Sequence, residues 1–277
     1  MPLSLSHGTG WRYRPDMRDY SVVHDKVKAL NIVVKTEDEP TRVDLSETDS
    51  PVGNQGGIGS CTAWAAKSMV EGQQIAIHGK YAEMSAMFTY KQTRFLLGWE
   101  GDTGAFLRTT LGSLRLFGAA PERYWPYLAE NLDVEPSASV MALADDYRTL
   151  VYLRHDAAGI EPICALVSMR RYLAQGYRSI FGFTVFNNYG EAWDDGVIPM
   201  PGPDNYAVGG HGVCAVGYDD EAGLVKFKNS WGDDWGDHGY GYLPYEYFYS
   251  KPDAFARDIW SALTQEWVDS SEFGVRV

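Results

Sequence analysis

Cysteine is scarce in this chain: Cys61, Cys164 and Cys214 are its only three among 277 residues. They allow one disulfide at most, which excludes a small fold stapled by disulfides and fits a reducing compartment. Positive charge is scarce too, with 24 Lys and Arg against 37 Asp and Glu and a net charge of -13. Nucleic-acid binding is therefore not expected, because neutralising phosphates needs a basic face. The longest candidate for a basic patch, Arg12 to Arg18, is broken up by Tyr13, Pro15 and Asp16. No segment approaches the roughly 18 apolar residues of a membrane helix, and residues 1–20 lack the run of roughly 7 to 15 apolar residues that a secretion signal needs. A soluble, cytoplasmic protein without a membrane partner is the expectation, unless another route exports it. HExxH and paired CxxC motifs are missing, and the Asp219, Asp220, Glu221 and Asp233, Asp234, Asp237 groups lack calcium-loop spacing, so neither metal nor cofactor is expected.

What is present is the composition of an ordinary globular protein, 45% apolar and 22% charged. Such a chain can bury a core of its own, as one large domain or two small ones. Residues 1–42 mix aromatics and arginines with a short apolar run, Leu30 to Val34, and an acidic stretch, Glu37 to Glu39, and read as an extension before the main domain. From Ser60 onward Ala63, Trp64, Ala66, Met69, Val70 and Ile75 recur at helical spacing. Further helices are predicted over Ser85 to Leu97, Phe106 to Phe117 with Gly118 as its cap, and Ile163 to Gln175. A change of character begins at Tyr147 to Val151. Strands are predicted over Ser179 to Phe186, Gly212 to Gly217 and Leu224 to Asn229, with an irregular loop from Asn187 to Gly210. Helices first and strands afterwards predict an α+β protein of two packed subdomains with a cleft between them.

The most informative segment is GNQGGIGSCTAW, from Gly53 to Trp64, in which a glycine-rich loop delivers Cys61 to a helix start. Unpaired N–H groups and the positive end of the helix dipole there can hold a thiolate. The competing reading is a tight turn before a buried cysteine. A phosphate loop is disfavoured, since the Walker pattern needs Gly-Lys-Ser/Thr and Gly59 is followed by Ser60 and Cys61. Of six histidines, His211 has a telling context, GGHGVCAVGY from Gly209 to Tyr218, where glycines permit close approach; by itself such a residue is more often a satisfied loop histidine. His238 lies within a turn and is a poor base. In KFKNSWGDDWGDHGYGY, from Lys226 to Tyr242, Asn229 can orient an imidazole and a neighbouring indole can exclude water. Cys164 and Cys214 are read as small buried hydrophobes.

QGGIGSC, GGHGVCAVGY and NSWGDDWG, in that order, resemble the motifs of the papain-like cysteine peptidases. The likeness extends to Thr103–Tyr127, whose Trp125-Pro126-Tyr127 resembles a turn of the family, and runs from about Val43 to Tyr245. The resemblance implies a papain-like fold, with an N-terminal extension over 1–42 and a peptidase domain over 43–277. That domain would comprise a mainly helical subdomain over about 43–145, a strand-rich, antiparallel β-barrel-like subdomain over about 146–250, an active-site cleft between them and a C-terminal segment packing back. It implies Cys61 as nucleophile, His211 as its partner and general acid, Asn229 orienting His211, and Gln55 as an oxyanion donor with the Cys61 N–H. Gly59 and Ser60 would line the non-prime side and Gly104 and Gly210 bound the groove. Trp231 would shield the His211–Asn229 contact, and the floor of the main specificity pocket would come from around Phe255 to Trp260. The implied activity is cofactor-free hydrolysis of peptide bonds in a peptide or protein substrate through a thioester. A transpeptidase or ligase on the same thioester, and a silent peptide-binding protein on the same fold, are the alternatives.

The chain departs from the family at Ile58, where a disulfide cysteine is usual, at Thr62, where an aromatic is usual, and at Gly210, where an acidic residue or asparagine often stands. Such a combination resembles bacterial members and implies a prokaryotic source. The roughly 42 residues before the domain are too short for the long helical inhibitory prosegment that many relatives carry, so none is expected. Trp11 to Tyr20 therefore either packs permanently on the body or crosses the cleft as a short intramolecular inhibitor, since its rings would otherwise lie exposed. Endo or exo cleavage would depend on whether Asn187 to Asp204 obstructs the cleft.

Overall fold

In the computed structural model, residues 8–16, 19, 21, 22, 24–28, 39–250 and 254–265 are described. The run Leu30 to Val34 and most of the acidic stretch after it lie outside these residues. In chain order the elements are β1 (Trp11–Arg12), α1 (Asp25–Lys28), β2 (Arg42–Asp44), α2 (Cys61–His78), α3 (Ala86–Leu97), β3 (Ala105–Phe106), α4 (Leu107–Phe117), α5 (Ala138–Asp145), β4 (Thr149–Arg154), α6 (Pro162–Ala174), β5 (Ser179–Phe186), β6 (Ala207–Asp219), β7 (Leu224–Lys228), β8 (Tyr240–Pro244), α7 (Glu246–Tyr249) and β9 (Ala256–Gln265). The four predicted helices and three predicted strands are all present, with ends shifted by a residue or two except at β6. That strand starts at Ala207, so the tail of the predicted Asn187–Gly210 loop is strand, and a 3-10 turn, Tyr189–Ala192, lies inside the loop. Pairing with β5 through Phe186↔Ala207 supplies the ladder partners that the glycine-rich sequence conceals.

Seven strands form one sheet in the order β4-β9-β5-β6-β7-β8, with β2 added to β6, and every pair is antiparallel. The last strand, β9, inserts between β4 and β5. One face of the sheet, carrying Ile180, Cys214, Val216 and Trp260, packs on Ala65, Ala66 and Met69 of α2 and Leu111 of α4. On the other face Phe181, Phe183, Val213, Ala215 and Phe227 pack on Leu166, Met169 and Leu173 of α6. Burial on both faces explains why β5 reads as a continuous apolar run, and its two buried phenylalanines, Phe181 and Phe183, contribute roughly 1.5–3 kcal/mol each. No helix among the described residues is long and apolar enough to cross a membrane.

Two buried polar groups inside this framework are held by specific partners. Arg178 and Asp49, 0% and 1% exposed at their side chains, meet at 2.8 Å beneath α2. His155 bonds Ser168 Oγ at 2.8 Å and Ser261 Oγ at 2.9 Å, and burial brings its pKa down to about 3. In the unfolded chain a histidine titrates near 6.5, so between about pH 6.5 and 3 only the unfolded state takes up this proton. Stability contributed by His155 is therefore lost as pH falls through that window, by about 1.4 kcal/mol per unit. Asp258 acts in the opposite sense, because burial raises its pKa to about 7 and the folded state holds its proton first. A differential measurement separates them: urea unfolding from pH 7 to pH 4 is expected to erode the wild type's stability relative to His155→Gln by about 3 kcal/mol. A difference independent of pH would mean that the folded protein charges His155 as easily as the unfolded chain does.

Candidate active site

Ser60 stands at the N-cap of α2, where a serine hydroxyl ordinarily bonds the first turn. Here it makes no such bond and instead meets Tyr127 Oη at 2.5 Å. The helix start is thus left without a side-chain cap, with Cys61 as its first residue. His211 lies in the middle of β6 rather than in a loop, and the N–H of the next residue, Gly212, faces the Cys61 sulfur. His211 Nε2 donates to Asn229 Oδ1 at 2.8 Å, and that oxygen also accepts from the Ser230 N–H at 2.8 Å. The Trp231 indole stacks on the imidazole at 4.5 Å with 25° between planes, while Phe183 meets it edge-on at 5.8 Å. His211, Asn229 and Trp231 are all buried.

Gln55 is brought to the same place by backbone pairing between two motifs far apart in sequence. Its N–H donates to Ser230 O at 2.9 Å, and Gly232 N–H donates to Gly53 O at 3.1 Å. Ser230 Oγ donates to Gln55 Oε1 at 2.6 Å, which turns the amide so that Nε2 serves as the donor end. Nε2 in turn donates to Ile58 O and Gly8 O, each at 2.8 Å. Gly8 belongs to the N-terminal extension, and the residues after it continue across the site. Gly10 O accepts from Ala105 N at 2.7 Å, β1 runs parallel to β3, and the N–H groups of Gly10 and Trp11 face the Cys61 sulfur.

That covering changes the chemistry expected at Cys61. Burial pushes the thiol up, and the N–H groups of Gly212, Gly10, Trp11 and Thr62 pull it down without prevailing. A helix start alone favours thiolate, but a fully covered sulfur has no water to solvate the charge, so desolvation wins.

Gly59, Gly104 and Gly210, all expected to line the groove, lie against this segment. A Cβ on Gly59 would approach Gly10 Cα at 3.4 Å, one on Gly104 would meet Gly10 O at 2.2 Å, and one on Gly210 would meet Trp11. Ser60 is placed differently, its hydroxyl turned away to Tyr127. Residues that sequence reasoning did not single out complete the site. Asp102 accepts from Gly59 N at 2.9 Å and from Tyr90 Oη at 2.7 Å, and Tyr90 Oη accepts from Gly104 N at 2.8 Å, so two groove glycines hang on one network. Tyr127 also donates to Gln55 O at 3.0 Å. The serine of NSW and the tyrosine of the Trp-Pro-Tyr turn were the available signals for Ser230 and Tyr127; Tyr90, inside a helix, had none.

Cys214 is buried as expected, and its thiol is pushed up to about 12 by burial. Cys164 is not: it is exposed. The inward face of α6 carries Ala165, Leu166 and Met169, which leaves Cys164 on the outer side of the first turn. No group of three or more His, Cys, Asp or Glu among the described residues could hold a metal ion.

A family model described as papain family cysteine protease matches residues 39–247. Among curated proteins, the chain is 29% identical over 286 residues to an uncharacterized peptidase C1-like protein of Acanthamoeba polyphaga mimivirus, covering 96% of this chain and 89% of the relative. It is 26% identical over 209 residues to Peptidase 1 of Euroglyphus maynei, covering 74% of this chain and 60% of that protein. Among solved structures, Xylellain, a cysteine protease from Xylella fastidiosa, superposes with a TM-score of 0.76 at 30% identity, covering 96% of this chain and 99% of its own. These relatives are viral, eukaryotic and bacterial, so the likeness does not single out the prokaryotic source that the motifs imply.

Proposed function

This chain belongs to the papain family of cysteine proteases, and from that premise we propose that it hydrolyses peptide bonds through a thioester at Cys61, restrained by its own residues 8–12. One observation carries the reading: Asn229 holds His211 by Nε2 under the Trp231 indole while the neighbouring Gly212 N–H faces the Cys61 sulfur. With Nε2 committed to Asn229, Nδ1 is the nitrogen that takes the thiol proton. The sulfur attacks the substrate carbonyl carbon, and the oxygen's developing charge is met by Gln55 Nε2 and the Cys61 N–H. His211 then protonates the leaving amine, the C–N bond breaks and a thioester remains. Water attacks the thioester, giving its proton to His211, and the acid departs as the thiol re-forms.

While the arm is seated this sequence cannot begin, so turnover belongs to the fraction of chains whose arm has lifted. Gly8 O occupies the Gln55 donor, and the sulfur faces the N–H groups of Gly10 and Trp11 rather than a carbonyl carbon. The arm is thereby both a plug and a non-substrate. Its seat is fastened further out by Arg154 Nη2 donating to Tyr13 Oη at 3.1 Å, by Arg12 over the Trp99 ring at 5.3 Å and by Arg108 with Asp16 at 3.3 Å.

The test uses mixed peptides in ¹⁸O-labelled water, with mass analysis of the products and mapping of iodoacetamide adducts. One labelled oxygen in each new C-terminus, lost on alkylation of Cys61, is the expected result. Products carrying an added amine instead would indicate transfer. Turnover that survives complete Cys61 alkylation would overturn the reading.

A further inference from the structure

The Trp11 ring fills a slot cut into the sheet beside the reacting sulfur. Its backbone N–H faces Cys61, so whatever enters the slot belongs to a residue at or near the scissile bond. A Cβ on Gly182 of β5 would fall 1.9 Å from the indole, and one on Gly210 of β6 would fall 2.7 Å from it. Only Gly among the ordinary residues leaves that space, and a flat group is what fits over two glycines on adjacent strands. At the far end, Trp11 Nε1 donates to Asp258 Oδ2 at 3.1 Å.

Asp258 is 1% exposed and has a φ of 62°, the left-handed region that Asp and Asn tolerate better than most residues. Its other oxygen accepts from Trp260 Nε1 at 2.8 Å. A role as the counter-charge of Arg154 does not account for it, because that guanidinium already meets Asp156 at 2.9 Å and Asp19 at 3.1 Å, and stands 3.9 Å from Asp258.

We propose that this slot selects the substrate, that Asp258 is its specificity-determining residue, and that the substrate class is peptides presenting tryptophan to it. The proposal rests on the peptidase reading above. When the arm leaves, Asp258 Oδ2 loses its indole donor, and a side chain that refills the slot without a donor buries that oxygen unpaired, at a cost in binding. A tryptophan restores the bond; phenylalanine fills the slot and leaves the oxygen unpaired. Arginine is also planar and a donor, and the carboxyls of Asp19, Asp156 and Asp258 outnumber the Arg154 guanidinium there; what favours tryptophan is the indole already seated in the slot, whose single N–H meets Oδ2 at 3.1 Å.

Two measurements on the full-length chain test this. In a Trp11→Ala protein, whose slot is empty, kcat/KM for a fluorogenic peptide with tryptophan at the slot position is expected to exceed that for the phenylalanine and arginine peptides by at least about tenfold. Asp258→Asn, which suits the same backbone conformation, is expected to bring the Trp-to-Phe ratio below about three. Equal use of Trp and Phe, preference for Arg, or a ratio that Asp258→Asn leaves unchanged overturns the proposal. The second measurement needs no turnover. Trp11→Phe is expected to raise the alkylation rate of Cys61 about tenfold, and Asp258→Asn to remove the difference between the two side chains. Continued protection of Cys214 certifies folding; if Asp258→Asn exposes Cys214, the Trp11→Phe comparison decides alone. Cleavage without a Trp preference removes the slot's role and leaves the peptidase reading standing. Rapid alkylation of Cys61 in Trp11→Ala without cleavage of any peptide removes the peptidase reading, and the substrate class with it.

Discussion

Cys61→Ala is expected to abolish peptide hydrolysis, with a loss in kcat on the order of 10⁴-fold or more, while leaving the arm in its seat. The two adjacent hydroxyls do not replace the thiol, since Ser60 is held by Tyr127 and Thr62 by Thr110. Gln55→Ala makes a more revealing companion because its two consequences have opposite sign. Loss of one oxyanion donor costs roughly 100 to 1,000-fold in kcat. The same deletion removes the bond from Nε2 to Gly8 O, and so loosens the arm and raises the alkylation rate of Cys61. Turnover and access are therefore expected to move apart in Gln55→Ala, whereas a merely misfolded variant would lose both the turnover and the protection of Cys214. A Gln55→Ala protein with wild-type kcat would remove Gln55 from the oxyanion role.

The residues of the candidate site were legible because their motifs are local. Gly53–Trp64 delivers Cys61, Gly209–Tyr218 carries His211, and Asn229-Ser230-Trp231 follows directly at the end of a strand. Their assembly needs only the pairing of β6 with β7 and of the Gly53–Gln55 loop with Ser230–Gly232. What covers the centre was legible only as a choice between packing and crossing. Gly8 to Arg12 have no periodicity, and their partners, Ala105, Gly182, Gly210 and Asp258, lie about a hundred to two hundred and fifty residues away. The same distance hid the insertion of β9 between β4 and β5, because order in the chain does not dictate order in a sheet. Cys164 was misread for a different reason: composition says that cysteines are usually buried, but the face of α6 on which it falls is set by Ala165, Leu166 and Met169 packing inward.

Gly10→Val is expected to expel the arm. A Cβ at Gly10 would lie 1.8 Å from Gly59 O and 2.5 Å from Gly59 C, both backbone atoms, and Asp102 ties down the Gly59 N–H. The groove cannot yield by rotating a side chain, so the arm must lift. Overpacking of this kind costs roughly 1–3 kcal/mol, and each 1.4 kcal/mol is a factor of ten in occupancy. The alkylation rate of Cys61 and the rate of peptide hydrolysis are therefore expected to rise together by about 10 to 100-fold. Uncovering also returns water to the sulfur, which removes the desolvation that holds the thiol up and leaves the uncapped start of α2 to favour the thiolate. Valine at the exposed Arg14 supplies the control, since it adds a branched side chain to the same segment without entering the groove. If Gly10→Val alkylates at the wild-type rate, the arm already leaves its seat freely and its packing there does not restrain the enzyme.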